Sequence, residues 1–298
     1  MKRFYKIIVV ALACIFICAA ACVEFSAATV FESDGFLYSL ASSTTADLHG
    51  RTTQDAELII PKEFNEHYVV NIVDSAFIGD QNINSLSFSK AILLERIGYY
   101  AFRGCTNLSG EVTFSGRINN LGTSAFQGCS SLESVTFRSY IINISDQCFY
   151  NCSSLSSVQL NDSVKTIGKY AFANCTSLQY VEIPSTVTSI NSTAFDGDEN
   201  LVLGVYTDTA GHNYAVEKNM PYILLDGPKS GDANGDGMVD ILDSTEIQKF
   251  AAEMIELTDE QFELADINDD GFVDVMDALL IQKFVVGKYD IPPIIYNS

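Results

Sequence analysis

Basic side chains are scarce in this sequence of 298 residues. Its 17 Lys and Arg stand against 38 Asp and Glu, which gives a formal net charge of −21. A protein that binds nucleic acid by neutralising phosphates needs the opposite balance, so this function class is excluded. The acidic excess is concentrated, because residues 231–290 hold sixteen acidic side chains and three lysines, a net of −13. This distribution indicates metal ligation in that region.

Recognisable catalytic motifs are also missing. The only histidines are His49, His67 and His212, and no Ser or Cys stands in a nucleophile-elbow context such as Gly-x-Ser-x-Gly. A zinc site needs closely paired ligands, and no Cys-x-x-Cys occurs. The sequence therefore offers no motif of a nucleophilic hydrolase or of a zinc protein.

Hydrophobic runs long enough to approach a membrane span are absent after the N-terminus. Basic residues within the first six positions precede an apolar run over 7–21, and small residues follow at 26–28. The run is shorter than the ~18 residues of a membrane-spanning helix, and the pattern predicts a secretory signal peptide over 1–28. Because 19–22 also resembles a degenerate lipobox, a lipid anchor on Cys22 stays open as an alternative.

Two acidic twelve-residue segments near the C-terminus share one spacing. In each, oxygen-bearing side chains fall at positions 1, 3, 5, 9 and 12, and position 7 would contribute its backbone carbonyl. The predicted ligands are Asp232, Asn234, Asp236, Met238, Asp240 and Asp243 in the first segment, and Asp266, Asn268, Asp270, Phe272, Asp274 and Asp277 in the second. Ca²⁺ takes about six to eight oxygen ligands, and the glycine at position 6 permits the sharp turn around the ion. The sequence therefore predicts two bound calcium ions.

The surroundings of these loops differ from those of a complete EF-hand. We expect each loop to be followed by a helix but not preceded by one, since linker-type residues 226–231 precede the first loop. Asp stands at position 12 where the usual EF-hand has Glu, and the second loop repeats the first after 34 residues. Segment 232–290 resembles a type I dockerin, the calcium-folded module that binds cohesin domains of cellulosome scaffoldins. The resemblance implies a small all-α module of two half EF-hands with a cohesin as its partner.

The resemblance also implies where the cohesin binds, namely at loop positions 10 and 11 and on the following helix. The corresponding residues are Ile241, Leu242, Gln248 and Lys249 in the first half, and Val275, Met276, Gln282 and Lys283 in the second. Positions 10 and 11 are apolar in both halves, so we expect a cohesin with an apolar contact patch. Alternatively, these four apolar side chains pack in the core of the module. The matching halves suggest two binding orientations related by a half-turn.

The region between residues 72 and 203 repeats itself every 23 to 25 residues. The marker is a small residue followed by Phe, at Phe77, Phe102, Phe126, Phe149, Phe172 and Phe195. Such a period is typical of a solenoid. Alternating Leu178, Val181 and Ile183 predict a short strand whose inward side chains stack on the next repeat. The units resemble BspA-like bacterial leucine-rich repeats over about 55–225, which implies a mainly β leucine-rich-repeat solenoid.

These resemblances divide the chain into five segments. The predicted organisation is a signal peptide 1–28, a solenoid with end caps 29–226, a linker 227–231, the dockerin 232–290 and a C-terminal tail 291–298. Segment 58–72 resembles the opening repeat of the family and 210–222 resembles its closing segment, whereas 29–54 has no assigned role.

Five cysteines lie in the repeats, at Cys105, Cys129, Cys148, Cys152 and Cys175. Four of them occupy one equivalent position, while Cys148 replaces the small residue before the marker Phe. Parallel inward side chains and an odd count favour a ladder of buried free thiols. Disulfides between neighbouring repeats, whose strands lie ~4.8 Å apart, stay open in a secreted protein.

A catalytic role would require two carboxylates facing each other across a sugar cleft. Glu111, Glu133 and Glu182 lie in or beside predicted strands at the same part of successive repeats, but charges on an exposed repeat face are ordinarily solvated. We therefore expect a secreted, non-catalytic cellulosome component that binds a scaffoldin through its dockerin and presents its solenoid to a protein or glycan. Alternatives are a cellulosomal glycoside hydrolase with unrecognised catalysis and a cell-surface adhesin or lipoprotein.

Overall fold

The computed structural model describes residues 29–296, so the predicted signal peptide and Cys22 lie outside the described residues. The chain divides into two compact units, the first ending at Leu201 and the second beginning at Val202. As the sequence predicts, a mainly β solenoid is followed by a small helical region. Within residues 29–296 no helix combines the length and hydropathy needed to cross a membrane.

The first unit is built of short strands, and the second of two strands and four helices. The strands of the first unit are β1 (Phe31–Ser33), β2 (Phe36–Leu40), β3 (Thr45–Arg51), β4 (Glu57–Ile59), β5 (Glu63–Phe64), β6 (His67–Ile72), β7 (Ser85–Ser87), β8 (Arg96–Ile97), β9 (Gly110–Phe114), β10 (Asn120–Leu121), β11 (Leu132–Phe137), β12 (Asn143–Ile144), β13 (Ser157–Gln159), β14 (Thr166–Ile167), β15 (Tyr180–Glu182) and β16 (Ser189–Ile190). The second unit contains β17 (Val202–Val205), α1 (Ala210–Glu217), β18 (Tyr222–Leu224), α2 (Ile241–Ala251), α3 (Asp259–Ala265) and α4 (Val275–Val285).

The unassigned segment 29–54 forms the antiparallel start of the solenoid. Strands β1 and β2 pair through Ser33 and Phe36, which leaves a two-residue turn of Asp34 and Gly35. Both turn residues have positive φ, at 50° and 81°, as a type I′ hairpin turn requires. Strand β3 then pairs in parallel with β6 and so joins this hairpin to the repeats.

Two parallel strand ladders carry the repeats. Strands β9, β11, β13 and β15 pair in parallel, with their central valines in register at Val112, Val135, Val158 and Val181. Shorter strands form the second ladder, as in the series β12, β14 and β16. Leu178, Val181 and Ile183 are all buried, as predicted, but the strand is shorter than expected, because β15 contains only Val181 of the three. Each repeat thus covers the apolar edge of the one before it.

The marker phenylalanines form a continuous stack of buried rings. Successive ring centroids lie 5.1, 5.0, 5.6, 5.4 and 5.5 Å apart from Phe77 to Phe195, with nearly parallel planes. Two positions after each marker the backbone is left-handed, and there the repeats carry either glycine, as at Gly128, or asparagine, as at Asn151 and Asn174. The recurring Gly or Asn before the equivalent cysteine therefore has a conformational cause.

The five repeat cysteines are buried free thiols, which confirms the predicted ladder. Four of the thiols donate to the carbonyl oxygen of the marker Phe one repeat earlier, at 3.1 to 3.3 Å. A cysteine at this position therefore fills a small apolar space and also supplies a weak hydrogen-bond donor.

The helical part of the second unit packs α2 against α4. Its core comprises Ala233, Ile247, Ala265, Ile267, Val273, Ala278 and Ile281. The expectation that no helix precedes either loop is wrong for the second one, because α3 runs directly into Asp266. A capping box of Thr258 and Gln261 starts α3, and this motif is visible in the sequence.

Candidate functional site

The first acidic loop is wrapped around the carboxylate of Asp232. Its two oxygens accept the backbone N–H groups of Gly235, Asp236 and Gly237 at 2.9, 3.1 and 2.8 Å. Gly237 has a φ of 86°, and a Cβ there would meet no atom within 4 Å, so backbone conformation alone explains this glycine. Five of the six predicted ligand positions thus lie in one tight turn before α2, and the sixth, Asp243, lies in the first turn of that helix.

The second loop repeats this geometry around Asp266. The N–H groups of Asp270 and Gly271 donate to its carboxylate at 3.1 and 2.8 Å, and Gly271 has a φ of 84°. At position 7 the side chains of Met238 and Phe272 are 59% and 70% exposed, as expected where only the backbone carbonyl would serve as a ligand. The two loops are therefore structurally equivalent.

The aspartates at position 12 have a second role as helix caps. Asp243 and Asp277 are the third residues of α2 and α4, and their carboxylates accept the N–H groups of Asp240 and Asp274 at 2.8 and 3.0 Å. The carboxylates of Asp240 and Asp274 in turn accept N–H groups of the first helical turn. These capping boxes hold positions 9 and 12 at the helix N-terminus.

The first loop is electrostatically suited to a cation. Burial raises the pKa of Asp243, and the nearby carboxylates of Asp232 and Asp236 raise it further, although backbone hydrogen bonds oppose the shift. The pKa of Asp277 is also raised, chiefly by burial.

No three His, Cys, Asp or Glu side chains within residues 29–296 converge closely enough to hold a metal by themselves. A calcium site does not require this, because asparagine, backbone carbonyl and water oxygens complete its shell. The all-oxygen donor set fits calcium.

The four apolar residues at positions 10 and 11 lie on the surface. The exposed fractions are 50% for Ile241, 56% for Leu242, 62% for Val275 and 51% for Met276. The alternative that they form the core is therefore wrong. Position 8 contributes to the core instead, with Val273 buried and Val239 packed against it. Each of α2 and α4 therefore begins with a pair of exposed apolar residues, as expected of an interaction surface.

The two halves of this surface are not identical. Gln248 is exposed, whereas Gln282 is half-buried and donates from Nε2 to the hydroxyl of Ser244 at 2.9 Å. Thr245 also has an apolar counterpart, Leu279, which is 38% exposed. Lys249 and Lys283 are exposed in both halves. The α4 half therefore presents more apolar surface than the α2 half.

The repeat glutamates do not occupy one equivalent position, which corrects the sequence prediction. Glu111 is in register with Ser134, because an irregularity between Leu132 and Ser134 shifts Glu133 out of the ladder. Since Val181 pairs with Val158, Glu182 lies beside Gln159, in a different column. A pair of facing carboxylates cannot be built from this register.

Sequence reasoning missed the residues at the ends of the thiol ladder. Asp80 and Asp198 stand at the same position as the four cysteines, three residues after their marker Phe. Arg51 contacts both oxygens of Asp80, at 2.8 and 3.1 Å, and these contacts, although opposed by burial, lower the pKa of Asp80. Asp198 is buried, neither of its oxygens has a hydrogen-bond partner within residues 29–296, and burial raises its pKa to about 7. The 23-residue spacing after Cys175 could have located Asp198.

Comparison with known families matches two regions of the chain. Residues 70–202 match the BspA type leucine rich repeat region in 6 copies, and residues 230–286 match the dockerin type I domain. Type I dockerin domains bind calcium. No curated protein matches the chain.

Solved structures similar to this chain are bacterial leucine-rich repeat proteins. A leucine rich cell surface protein from Faecalibacterium prausnitzii A2-165 is 25% identical, with a TM-score of 0.45, over 59% of this chain and 54% of that one. The leucine rich repeat protein of T. pallidum is 22% identical, with a TM-score of 0.37, over 58% and 70%. The chain spans about half the length of the Faecalibacterium protein. In this chain, a region that matches BspA type leucine rich repeats therefore precedes a region that matches the type I dockerin domain.

Proposed function

We propose that this protein is a secreted, non-catalytic component of a cellulosome. Its dockerin would bind a scaffoldin cohesin, and its solenoid would present a surface for a protein or glycan. The observation that carries the proposal is the pair of equivalent acidic loops, each followed by a helix whose first two residues are exposed and apolar. The predicted signal peptide over 1–28 supports an extracellular location.

Two calcium ions would be held by the ligand sets of the two loops, one in each. Calcium supplies two positive charges to each loop and so offsets the repulsion among the four carboxylates of its ligand set. Asp232 and Asp266 orient the loop amides, whereas Asp243 and Asp277 connect the loop to the first helical turn. Ordering of the loops would therefore fix the direction of α2 and α4 and the position of the apolar residues at their start.

The cohesin partner should carry an apolar contact patch. Ile241 and Leu242, or Val275 and Met276, would bury most of their exposed surface in the complex, and a hydroxyl-rich cohesin would leave its own polar groups unpaired against them. Since both halves present such a pair, two orientations are open to the complex. The additional exposed Leu279 favours the orientation that uses α4.

Calorimetric titration against a panel of type I cohesins tests this function. Ile241→Asp with Leu242→Asp, and Val275→Asp with Met276→Asp, each disable one half, and the four changes together disable both. We expect a modest loss from either pair, a larger one from the α4 pair, and no binding by the fourfold variant. Met254→Asp is the matched control, because Met254 is 73% exposed and lies beyond the end of α2.

Two results would contradict the proposal in different ways. Unchanged binding by the fourfold variant would show that these apolar residues do not form the docking surface. Complete loss from one half-variant that still binds calcium would leave docking intact but restrict it to one orientation.

A further inference from the structure

The outward face of the ladder β9, β11, β13 and β15 carries mostly polar side chains, and their size increases between β13 and β15. The register places Glu111, Ser134 and Ser157 in one column and Thr113, Thr136 and Gln159 in the other. Strand β15 continues these columns with Tyr180 and Glu182. The small hydroxyl side chains of β11 and β13 therefore project less far from the sheet than Tyr180 and Glu182 on β15.

This difference in side-chain size forms a groove of about 530 Å³ over β13 and β15. It is lined on one side by residues 156–160, which include β13, and on the other by Tyr180 and Glu182 of β15. The Tyr180 side chain is 42% exposed, so part of its ring is available to a ligand. The volume is in the range of about 300–1,000 Å³ that small-molecule sites occupy in proteins.

The groove combines serine hydroxyls, an amide, a carboxylate and one aromatic ring with the aliphatic side chains of Val158 and Leu160. No Lys or Arg is among its lining residues, so nothing there would pair with an anionic ligand. Serine hydroxyls and the Gln159 amide both donate and accept hydrogen bonds, whereas the Glu182 carboxylate only accepts. A ligand that supplies many hydroxyl groups and an apolar ring face would complement this set, because an aromatic ring packs against C–H surface while its neighbours bond the hydroxyls.

The carboxylates of this face do not favour a basic peptide. Glu111 already accepts the hydroxyl of Thr113 at 2.8 Å, and a second hydroxyl, that of Thr136, also lowers its pKa. Glu182 is then the single carboxylate lining the groove. Recognition of a multiply charged peptide would need several carboxylates at the groove.

We propose that this groove binds an uncharged glycan, with the ring of Tyr180 packed on a sugar face and the Gln159 amide and Ser157 hydroxyl bonded to sugar hydroxyls. The proposal narrows the ligand class of the solenoid given above and rests on its role as a binding surface. It does not depend on the dockerin, because every residue that forms the groove lies in the first unit.

Affinity electrophoresis of the full chain tests the proposal. The gels contain soluble β-glucan, xylan or mannan as uncharged probes and polygalacturonate as an anionic one, and a fluorescent oligolysine peptide is titrated separately. We expect retardation by at least one uncharged polysaccharide, with the same strength in calcium and in chelator. Tyr180→Ala should weaken it at least tenfold and Gln159→Ala severalfold. Tyr140→Ala is the matched control and should change nothing, because Tyr140 is 69% exposed and lies outside the groove.

The outcomes separate this inference from the proposed docking function. Equal retardation of Tyr180→Ala and the unaltered protein would overturn the groove assignment. Binding of oligolysine or polygalacturonate alone would overturn the ligand class. No binding to any uncharged probe, in protein that still binds a cohesin, would refute the glycan inference and leave the docking function standing.

Discussion

Replacing Phe149 by alanine tests whether the ring stack holds the repeats together. Phe149 is fully buried, with stacked neighbours Phe126 and Phe172 at 5.6 and 5.4 Å and edge contacts to Phe114 and Phe137 at 6.3 and 6.1 Å. A buried Phe→Ala change costs about 3–5 kcal/mol in total, and contacts between aromatic rings, at about 0.5–1.5 kcal/mol each, are part of that total. With four ring neighbours, we expect a loss near the upper end, about 4–5 kcal/mol.

Urea unfolding of the full chain in calcium, followed by circular dichroism, measures this loss. With an m-value of about 3 kcal/mol/M, the unfolding midpoint should fall by roughly 1.5 M. Tyr140→Ala removes an aromatic ring that is 69% exposed and should cost no more than about 0.5 kcal/mol. Phe149→Leu keeps most of the volume and should fall between the two. A midpoint for Phe149→Ala that matches the Tyr140→Ala control would refute the role of the stack.

Three further predictions concern calcium, thiols and pH. A chelator should abolish the helical circular dichroism signal of α2 and α4, and helices that persist without calcium would contradict this prediction. The Asp243→Ala variant should bind calcium more weakly, whereas the control Asp290→Ala, at an exposed position, should bind it unchanged. Thiol titration of the mature protein, without residues 1–28, should find no reactive group in the folded repeats and five after denaturation, and one or three would reveal disulfides. Because the pKa of Asp198 rises from 3.8 to about 7 on folding, stability should fall as the pH rises across this interval. Asp198→Asn should therefore unfold at higher urea than the parent at pH 8 and at nearly the same urea at pH 4, and equal midpoints at both pH values would contradict the assignment.

The parts of the fold that the sequence predicts are those that recur at fixed spacing. The marker Phe, the inward valines and the calcium-loop ligands each have the same structural role in every repeat, so the role found in one repeat predicts that in the next. The hairpin at Asp34 and Gly35 and the capping box at Thr258 are local motifs, and they could have predicted the N-terminal strands and α3.

Other features depend on contacts between distant residues. Gln282 reaches Ser244, 38 positions away, and only the packing of α2 on α4 brings them together. The misplacement of Glu133 has a similar cause, since the irregularity in β11 appears only when the strand is paired with β9. The sequence alone also did not determine whether Ile241 and Leu242 are buried or exposed, because an apolar side chain at the start of a helix can pack in a core or at an interface.

The equal spacing of the last repeats has a consequence for how this protein can evolve. From Phe126 to Phe195 every marker lies 23 residues after the previous one, and the equivalent positions from Cys129 to Asp198 keep the same interval. A recombination event that inserts or deletes one 23-residue block in this region would restore every column of the stack, the thiol ladder and the strand register. The exposed sheet would then lengthen or shorten by one strand, or ~4.8 Å, and the packing of the core between repeats would stay the same. Related genes can therefore differ in the length of this exposed sheet by whole repeats while both end caps of the solenoid stay the same.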